Sequence, residues 1–486
     1  MALRRSGQRV SAYATPGVRL RDLVDRRIVV WGEGREGRAA VDVIQRHASP
    51  ASLDVVIDGQ PMETSTALSS LSRPGRAAIA SAEVIVKSPG VSPYSGPFFE
   101  LTRGQTVTGG TALWLAETGG RASIGITGSK GKSTTSALLH HLLVGLGTRA
   151  VLAGNIGVAP IEVLGRVLDG DSASPVQGDT PERWVFELSS FQCAEAGVSP
   201  EYGILTSLFP EHLNWHGSID RYYADKLNLF AHGGSRGCAL AANMANGDVA
   251  ERVAGRSNTV GFETTATIRS RGSQVFDIDS SEIVDLAESQ LLGRHNAANA
   301  AGALTMLRLL GHDLHDRRHD LMSLFRSFVP LAHRLEPVGE LSGRTVIDDS
   351  LSTAPQAAVA ALATFADRPV SIIVGGYDRG LDYGALAAAC ASRLAPTWVL
   401  GVPESGERLI PLIAEAVRSA RAAHVHVEGF SGPEGFDDAV IRAEHVTPTG
   451  GVILLSPGAP SFGRFADYRE RGLHFRHLLG FAPTPS

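Results

Sequence analysis

Ser123-Ile124-Gly125-Ile126-Thr127-Gly128-Ser129-Lys130-Gly131-Lys132-Ser133-Thr134 is the stretch that decides the fold. It opens on a short apolar β-type run, Ser123 to Thr127, turns through Gly128 and Gly131, and continues into a helical stretch, Ser136 to Leu143. A strand, a glycine loop and a helix in this order turn backbone N–H groups inward around phosphates. The helix N-terminus adds positive potential, a lysine reaches the outer phosphates and a hydroxyl serves Mg²⁺. Ile126 stands where the standard spacing expects the first glycine, yet the shorter T-G-x-x-G-K-S-T form keeps Gly131, Lys132 and Ser133 in register. ATP binding by Gly128, Ser129, Lys130, Gly131, Lys132, Ser133 and Thr134 follows.

The same rhythm extends outward in both directions. Upstream, Ile28 to Trp31, Val55 to Ile57 and Val84 to Val86 alternate with helical stretches between Arg26 and Glu117, which reads as βαβ units on a mostly parallel sheet. Gly119 and Gly120 form a seam. Downstream come apolar runs at Trp184 to Leu188 and Gly203 to Leu208, then an alanine-rich helix from Ala297 to Leu310 ahead of Pro330. A third region offers Arg344 to Ile347, Ser371 to Val374, Trp398 to Leu400, His424 to Val427 and Val452 to Leu455. The expected architecture is α/β in three domains, 1–117, 118–332 and 333–486, with Asp169 to Pro181 as a polar loop.

Composition narrows the function. The 486 residues are 43% hydrophobic and 20% charged, ordinary for a globular chain, and the net charge of −5 lacks the basic excess of a nucleic-acid or anionic-membrane binder. Small-molecule partners are expected. Three scattered cysteines, Cys193, Cys238 and Cys390, make no disulfide framework, and no apolar run reaches membrane-spanning length. A cytoplasmic location follows. Of 45 basic residues only four are lysines: Lys87, Lys130, Lys132 and Lys226. A chain that uses arginine for general positive charge marks its lysines as candidates for chemistry that guanidinium cannot do.

Weaker signals surround the loop. Gly32-Glu33-Gly34-Arg35-Glu36-Gly37 follows a strand and matches the G-x-G-x-x-G fingerprint, but Asp58 lies 26 residues beyond Gly32, further than the ~20 of a ribose-binding acid. A dehydrogenase, a nucleotide-sugar site and simple helix–strand packing all remain open there. Ser88-Pro89-Gly90 is a second turn for the same crevice. Glu187 ends an apolar strand, where a carboxylate beside a phosphate loop can hold Mg²⁺ directly or through water. His212 follows another strand, and Lys226 stands alone downstream.

Taken together these residues resemble the Mur ligase family, ATP-dependent enzymes that build the peptide of peptidoglycan, and within it the glutamate-adding members. The matching positions are Gly128 to Thr134, Gly154-Asn155-Ile156-Gly157, Glu187 to Gln192, Glu211-His212, Lys226, His295-Asn296 with Asn299, His333-Arg334, Asp349-Ser350 and Ser456-Pro457 leading to Ser461-Phe462. The resemblance implies a Rossmann-like N-terminal domain for a UDP-sugar, a central P-loop ATPase-like domain, and a Rossmann-like C-terminal domain for the incoming amino acid. It implies transfer of the ATP γ-phosphate to the substrate carboxylate and attack of the amino acid's amine on the acyl phosphate. Two other readings compete, one a related ligase and one from a different reaction class. A folylpolyglutamate synthase lacks an N-terminal UDP domain, and a nicotinamide dehydrogenase leaves Lys132, Glu187 and Lys226 without roles.

The resemblance also distributes roles. Lys132 would screen the outer phosphates, Ser133 and Glu187 would hold one Mg²⁺, and His212 with a carbamylated Lys226 the second. Asn296, Asn299, Arg334 and Asp349 would serve ATP, while Gly34, Arg35, Glu36, Asp58, Ser88, Gly90 and Asn155 would serve the UDP substrate. Thr353, Arg379, Ser461, Phe462 and Tyr468 would serve the amino acid. D-glutamate-adding enzymes typically show D-S-K-A-T-N and G-G-D-G-K, where this chain has Asp349-Ser350-Leu351-Ser352-Thr353-Ala354 and Gly375-Gly376-Tyr377-Asp378-Arg379. A leucine replaces one lysine and a planar fork the other, which is not a conservative change. The pocket therefore resembles the branch attaching L-glutamate to UDP-N-acetylmuramoyl-L-alanine, with the D-glutamate reaction as the alternative, and the enzyme is expected to be a monomer.

Overall fold

The computed structural model describes residues 14–57, 73–94, 96–102, 104–170, 181–233, 237–265 and 267–482. Asp58 and most of the expected Asp169 to Pro181 loop lie outside the described residues. The chain forms two compact units: Met1–Ser270 with Val275–Val284 and Ala298–Leu324, and Arg271–Gln274 with Asp285–Ala297 and Phe325–Ser486.

The first unit contains two parallel sheets. One runs in the order β2 (Ser52–Val56), β1 (Arg27–Trp31), β3 (Val84–Lys87), β4 (Thr106–Thr108). The other runs β10 (Thr259–Phe262), β9 (Ala239–Asn243), β8 (Tyr202–Leu205), β5 (Ser123–Thr127), β7 (Arg183–Glu187), β6 (Ala150–Gly154). All its neighbours are parallel. The chain leaves β5 toward β6 on one side and returns past it to β8 on the other. Such a reversal opens a crevice at the carboxyl ends of β5, β7 and β8.

The two sheets meet through one continuous apolar core. Ile28, Val30, Val84 and Val86 from the first sheet pack with Trp114, Ile161 and Leu164 from intervening helices and with Val151, Trp184 and Phe186 from the second. Helix Gly110–Thr118 is buried almost all round because it lies inside this layer. Gly119 and Gly120 terminate it with φ of 62° and 69°. The two sheets on either side of these glycines thus share one unit, since neither covers its inner face alone.

β11 (Arg269–Arg271), β12 (Gln274–Phe276) and β13 (Glu282–Asp285) form a small three-stranded sheet. The second unit holds a sheet in the order β14 (Glu336–Leu341), β15 (Arg344–Asp348), β19 (Val452–Leu455), β16 (Val370–Gly376), β17 (Thr397–Glu404), β18 (Val425–Gly429). The β14–β15 hairpin is antiparallel and the rest are parallel. Apolar clusters cover both faces, one around Ile372 and Leu409, the other around Ile373, Phe436 and Phe475.

Ser123–Thr127 and Val452–Leu455 are strands with the expected bounds. The run Gly203 to Leu208 stops being strand at Leu205, because Thr206 and Ser207 turn to bond the phosphate loop: Thr206 N donates to Thr127 O at 3.0 Å and Ser129 N to Ser207 O at 2.7 Å.

Candidate active site

Gly128 and Gly131 are required by the loop's shape. Gly128 has φ +149°, and a Cβ there would lie 2.0 Å from Thr206 Oγ1; Gly131 has φ +88°, with Asn299 Oδ1 2.4 Å from a Cβ. No larger residue fits either position without strain. Helix Lys132–Gly145 begins directly after Gly131, so the amides of Lys132, Ser133 and Thr134 occupy a first turn that has no intrahelical acceptors. The loop's other amides are used differently from the sequence expectation. Ser129 N bonds Ser207 O, and Lys130 N bonds Ser207 Oγ at 2.9 Å. Those two donors hold the loop's shape rather than facing a phosphate.

Cations and carboxylates gather around this loop. Lys132 Nζ donates to Gly128 O at 2.8 Å and Ser129 O at 3.0 Å. Lys226, on helix Ile219–Asn228, is 2% exposed and also donates to Gly128 O, at 2.8 Å. Burial, aided by Lys132, lowers its ammonium from 10.5 to about 7. Lys130 pairs with Glu211 at 2.6 Å. His212, held at φ 53°, lies edge-on to Phe191 and is pushed down to about 4 by burial, so its ring is neutral. Glu187 closes β7 and is 1% exposed; Oε1 accepts from Asn155 Nδ2 at 3.3 Å, while the buried Oε2 has no hydrogen-bond partner.

The orphaned buried Glu187 carboxylate oxygen and the Ser133 hydroxyl are the oxygen donors that suit Mg²⁺ beside a phosphate, whereas the His212 imidazole is a poorer ligand for so hard an ion and the Lys226 amine becomes an oxygen donor only as a carbamate. Ser133 and Glu187 therefore fit the implied Mg²⁺, and Lys226 fits only in its carbamylated form. Lys132 and Lys226 approach the same carbonyl, and Asn299 touches the loop through its side chain. Asn296, three residues earlier on helix Arg294–Leu309, instead donates to Leu292 O at 2.8 Å.

Of the residues expected to serve the UDP substrate, Arg35 and Glu36 are engaged with segments of the second sheet of the same unit. Arg35 donates to Gly157 O at 2.6 Å, Gly154 O at 2.9 Å and Asn155 O at 3.0 Å. Glu36 is buried against Gln192 Nε2 and raised to about 7 by burial and by Glu195. Gly34 caps helix Arg35–His47, and nothing would obstruct a Cβ on it. Ser88 Oγ donates to Gly32 O at 3.1 Å and Gly90 O accepts from Trp215 Nε1 at 3.2 Å. Lys87, flagged by lysine usage, forms a fully buried pair with Glu195 at 2.5 Å. Arg35, Glu36, Gly90 and Asn155 thus act at least as fasteners within this unit, a role their spacing did not reveal.

In the second unit, Asp349 accepts from Leu335 N at 3.0 Å, Ser456 Oγ at 2.7 Å and Ser352 Oγ, and burial raises its carboxyl to about 6. Arg334 is half-buried beside it. A cavity of about 350 Å³ is lined by Gly376, Glu404, Ser461, Phe462, Arg464 and Arg471, among others. Arg379 lies over the Phe462 ring at 5.8 Å. Thr353 and Tyr468 are not among the lining residues; Tyr468 packs edge-on to His333 at 5.9 Å. Arg464 and Glu404 line the cavity although no sequence motif marks them.

A glycine phosphate loop at the switch point of a parallel sheet, bonded by Lys132 and Lys226, with Glu187 and His212 in electrostatic reach of Lys226, defines the first unit as a nucleotide-binding domain of the phosphoryl-transfer class. Residues 126–307 match the model of the Mur ligase middle domain. The chain is 41% identical over 95% of its length and 98% of the relative to a UDP-N-acetylmuramoyl-L-alanine--L-glutamate ligase from Micromonospora sp.. It is 38% identical over 96% of its length and 98% of the relative to the enzyme of that name from Xanthomonas euvesicatoria. The MurF ligase of Thermotoga maritima, solved with ADP, shares the fold with a TM-score of 0.55 at 14% identity, over 95% of this chain and 96% of that one. The chain belongs to the Mur ligase family.

Proposed function

We propose that this protein joins L-glutamate to UDP-N-acetylmuramoyl-L-alanine at the expense of ATP, through an acyl phosphate, in peptidoglycan precursor synthesis. The observation that carries the reading is the convergence of Lys132, Lys226, Glu187 and His212 on one glycine loop, in a chain matched nearly end to end by L-glutamate ligases. A carboxylate is a poor acyl donor, whereas its phosphoric anhydride has a good leaving group. The amine then attacks the acyl carbon and phosphate departs.

Lys132 lies in reach of the outer phosphates once its ammonium exchanges the loop carbonyls for phosphate oxygens, which places positive charge where negative charge develops. Ser133, Glu187, His212 and Lys226 would hold two Mg²⁺, which supply charge neutralisation on the phosphates. Carbamylation needs a free amine, and the lowered basicity of Lys226 supplies one near neutral pH. The rest of the ATP site is Gly128 to Thr134 with Asn296, Asn299, Arg334 and Asp349. The UDP substrate takes Gly34, Arg35, Glu36, Ser88, Gly90 and Asn155. Glutamate takes Thr353, Arg379, Ser461, Phe462 and Tyr468, with Leu351 and Arg379 favouring the L-enantiomer over D.

The functional division is into 1–117, 118–332 and 333–486, in keeping with three large sheets. The enzyme works as a cytoplasmic monomer on soluble precursors; no described helix is long and apolar enough to cross a membrane. The deciding experiment supplies UDP-N-acetylmuramoyl-L-alanine, Mg²⁺-ATP and each glutamate enantiomer separately. Amide product with L-glutamate supports the reading, and product with D-glutamate alone refutes its stereochemical part.

A further inference from the structure

Four segments that carry candidate site residues each send one polar side chain to a single buried spot in the first unit. Tyr94 belongs to the loop bearing Ser88 and Gly90, Ser190 lies just past Glu187, His216 just past His212, and Asp225 immediately before Lys226. Asp225 Oδ1 accepts from the Tyr94 hydroxyl at 2.6 Å and Oδ2 from His216 Nδ1 at 2.5 Å. His216 Nε2 meets Ser190 Oγ at 2.9 Å. A carboxylate only accepts, so Nδ1 carries the ring proton and Nε2 accepts a hydrogen bond from the Ser190 hydroxyl. The order is Ser190 to His216 to Asp225, with Tyr94 arriving from the opposite side.

In an open cleft a serine, histidine and aspartate in this order make a nucleophile. Here Ser190 is 2% exposed and His216 0%, so no substrate reaches them and the row can only position its neighbours. The loop bearing Tyr94 is fastened around it. Ser92 Oγ donates to Trp215 O at 2.7 Å, Trp215 Nε1 to Gly90 O at 3.2 Å, and the Arg221 guanidinium lies 4.6 Å from the Tyr94 ring centre.

We propose that Tyr94, Asp225, His216 and Ser190 form a positioning chain through which a nucleotide-sugar bound at the 88–94 loop fixes the helix that carries Lys226. It rests on the substrate assignment above. The hydrogen bond to a charged group is directional and short, so a shift of the loop is passed to Asp225 and hence to the adjacent Lys226. Tyr94 is the informative member, because removing its hydroxyl leaves the ring contacts and the other three residues in place.

The test is hydrogen exchange of the full chain with UDP-N-acetylmuramoyl-L-alanine and no nucleotide. In the wild type the ligand slows exchange both in 88–94 and in Ile219–Asn228. In Tyr94→Phe it slows exchange in 88–94 only, and kcat falls roughly tenfold, the loss expected for one hydrogen bond to a charged group, while KM for ATP is unchanged. Asp225→Asn, a second variant of the same shape, gives the same uncoupling. Equal ligand-induced slowing of Ile219–Asn228 in wild type and both variants overturns the inference. Absence of slowing at 88–94 in the wild type overturns the substrate assignment itself, and this inference falls with it.

Discussion

Lys226→Met separates what the lysine costs the fold from what it does for the reaction. The ammonium is fully buried and lowered from 10.5 to about 7. At ~1.36 kcal/mol per pH unit, holding that charge inside costs roughly 5 kcal/mol relative to the unfolded chain. Methionine is similar in length, flexible and uncharged. It forfeits the bond from Nζ to Gly128 O at 2.8 Å, worth about 1–2 kcal/mol. The nucleotide-free variant is therefore expected to be more stable than wild type at pH 7 by about 3 kcal/mol. The folded lysine binds fewer protons than the unfolded one between about pH 7 and 10.5, so wild-type stability rises with pH across that window. The advantage of methionine is largest at or below pH 7 and fades as pH rises. Urea unfolding of both proteins in bicarbonate-free buffer, from about pH 6 to about pH 9, reads the gap directly. Amide formation by the variant is lost. A variant less stable than wild type at pH 7, or a gap independent of pH, would refute the burial account of Lys226.

Lys132→Ala is expected to reduce ATP-dependent phosphate release by ~10²–10³ or more, while isothermal titration shows UDP-substrate affinity nearly unchanged. Gly131→Ala places a methyl against Asn299 Oδ1 in a left-handed backbone, so nucleotide protection in thermal melts falls sharply; full protection would show the loop to be adaptable. In a racemic glutamate supply wild type is expected to consume the L-form on the order of 10⁴-fold faster if, as proposed, Leu351 leaves a D-carboxylate without a partner, and chiral analysis of the product reads the ratio. Leu351→Lys combined with Arg379→Lys narrows that ratio, and an unchanged ratio would remove both residues from the specificity argument.

Much of this protein was legible in the residue order. The phosphate loop is local: a five-residue strand, two glycines that alone tolerate its backbone, and a helix start are contiguous, so Ser123 to Thr134 needs no partner to be read. The buried parallel strands were visible as apolar β-branched runs, and the scarcity of lysine pointed to Lys132 and Lys226 before any geometry. Strands without that signal were invisible. Ala239–Asn243 is alanine-rich and becomes a strand because its parallel neighbours and the covering core accept it, an outcome set by context rather than propensity.

Only the tertiary structure decided how the polar residues are used. The short spacing between Gly154 and Gly157 does not reveal that its carbonyls receive Arg35, more than a hundred positions upstream, nor does Glu36 announce a partner in Gln192. The shared core around Trp114 makes one unit of two sheets that the sequence divides at Gly119. Lysine identity is written in the chain, but the basicity of Lys226 is not. It arises from burial and from Lys132, which the fold brings to the same carbonyl oxygen, and electrostatic environment depends on distance in space rather than along the chain.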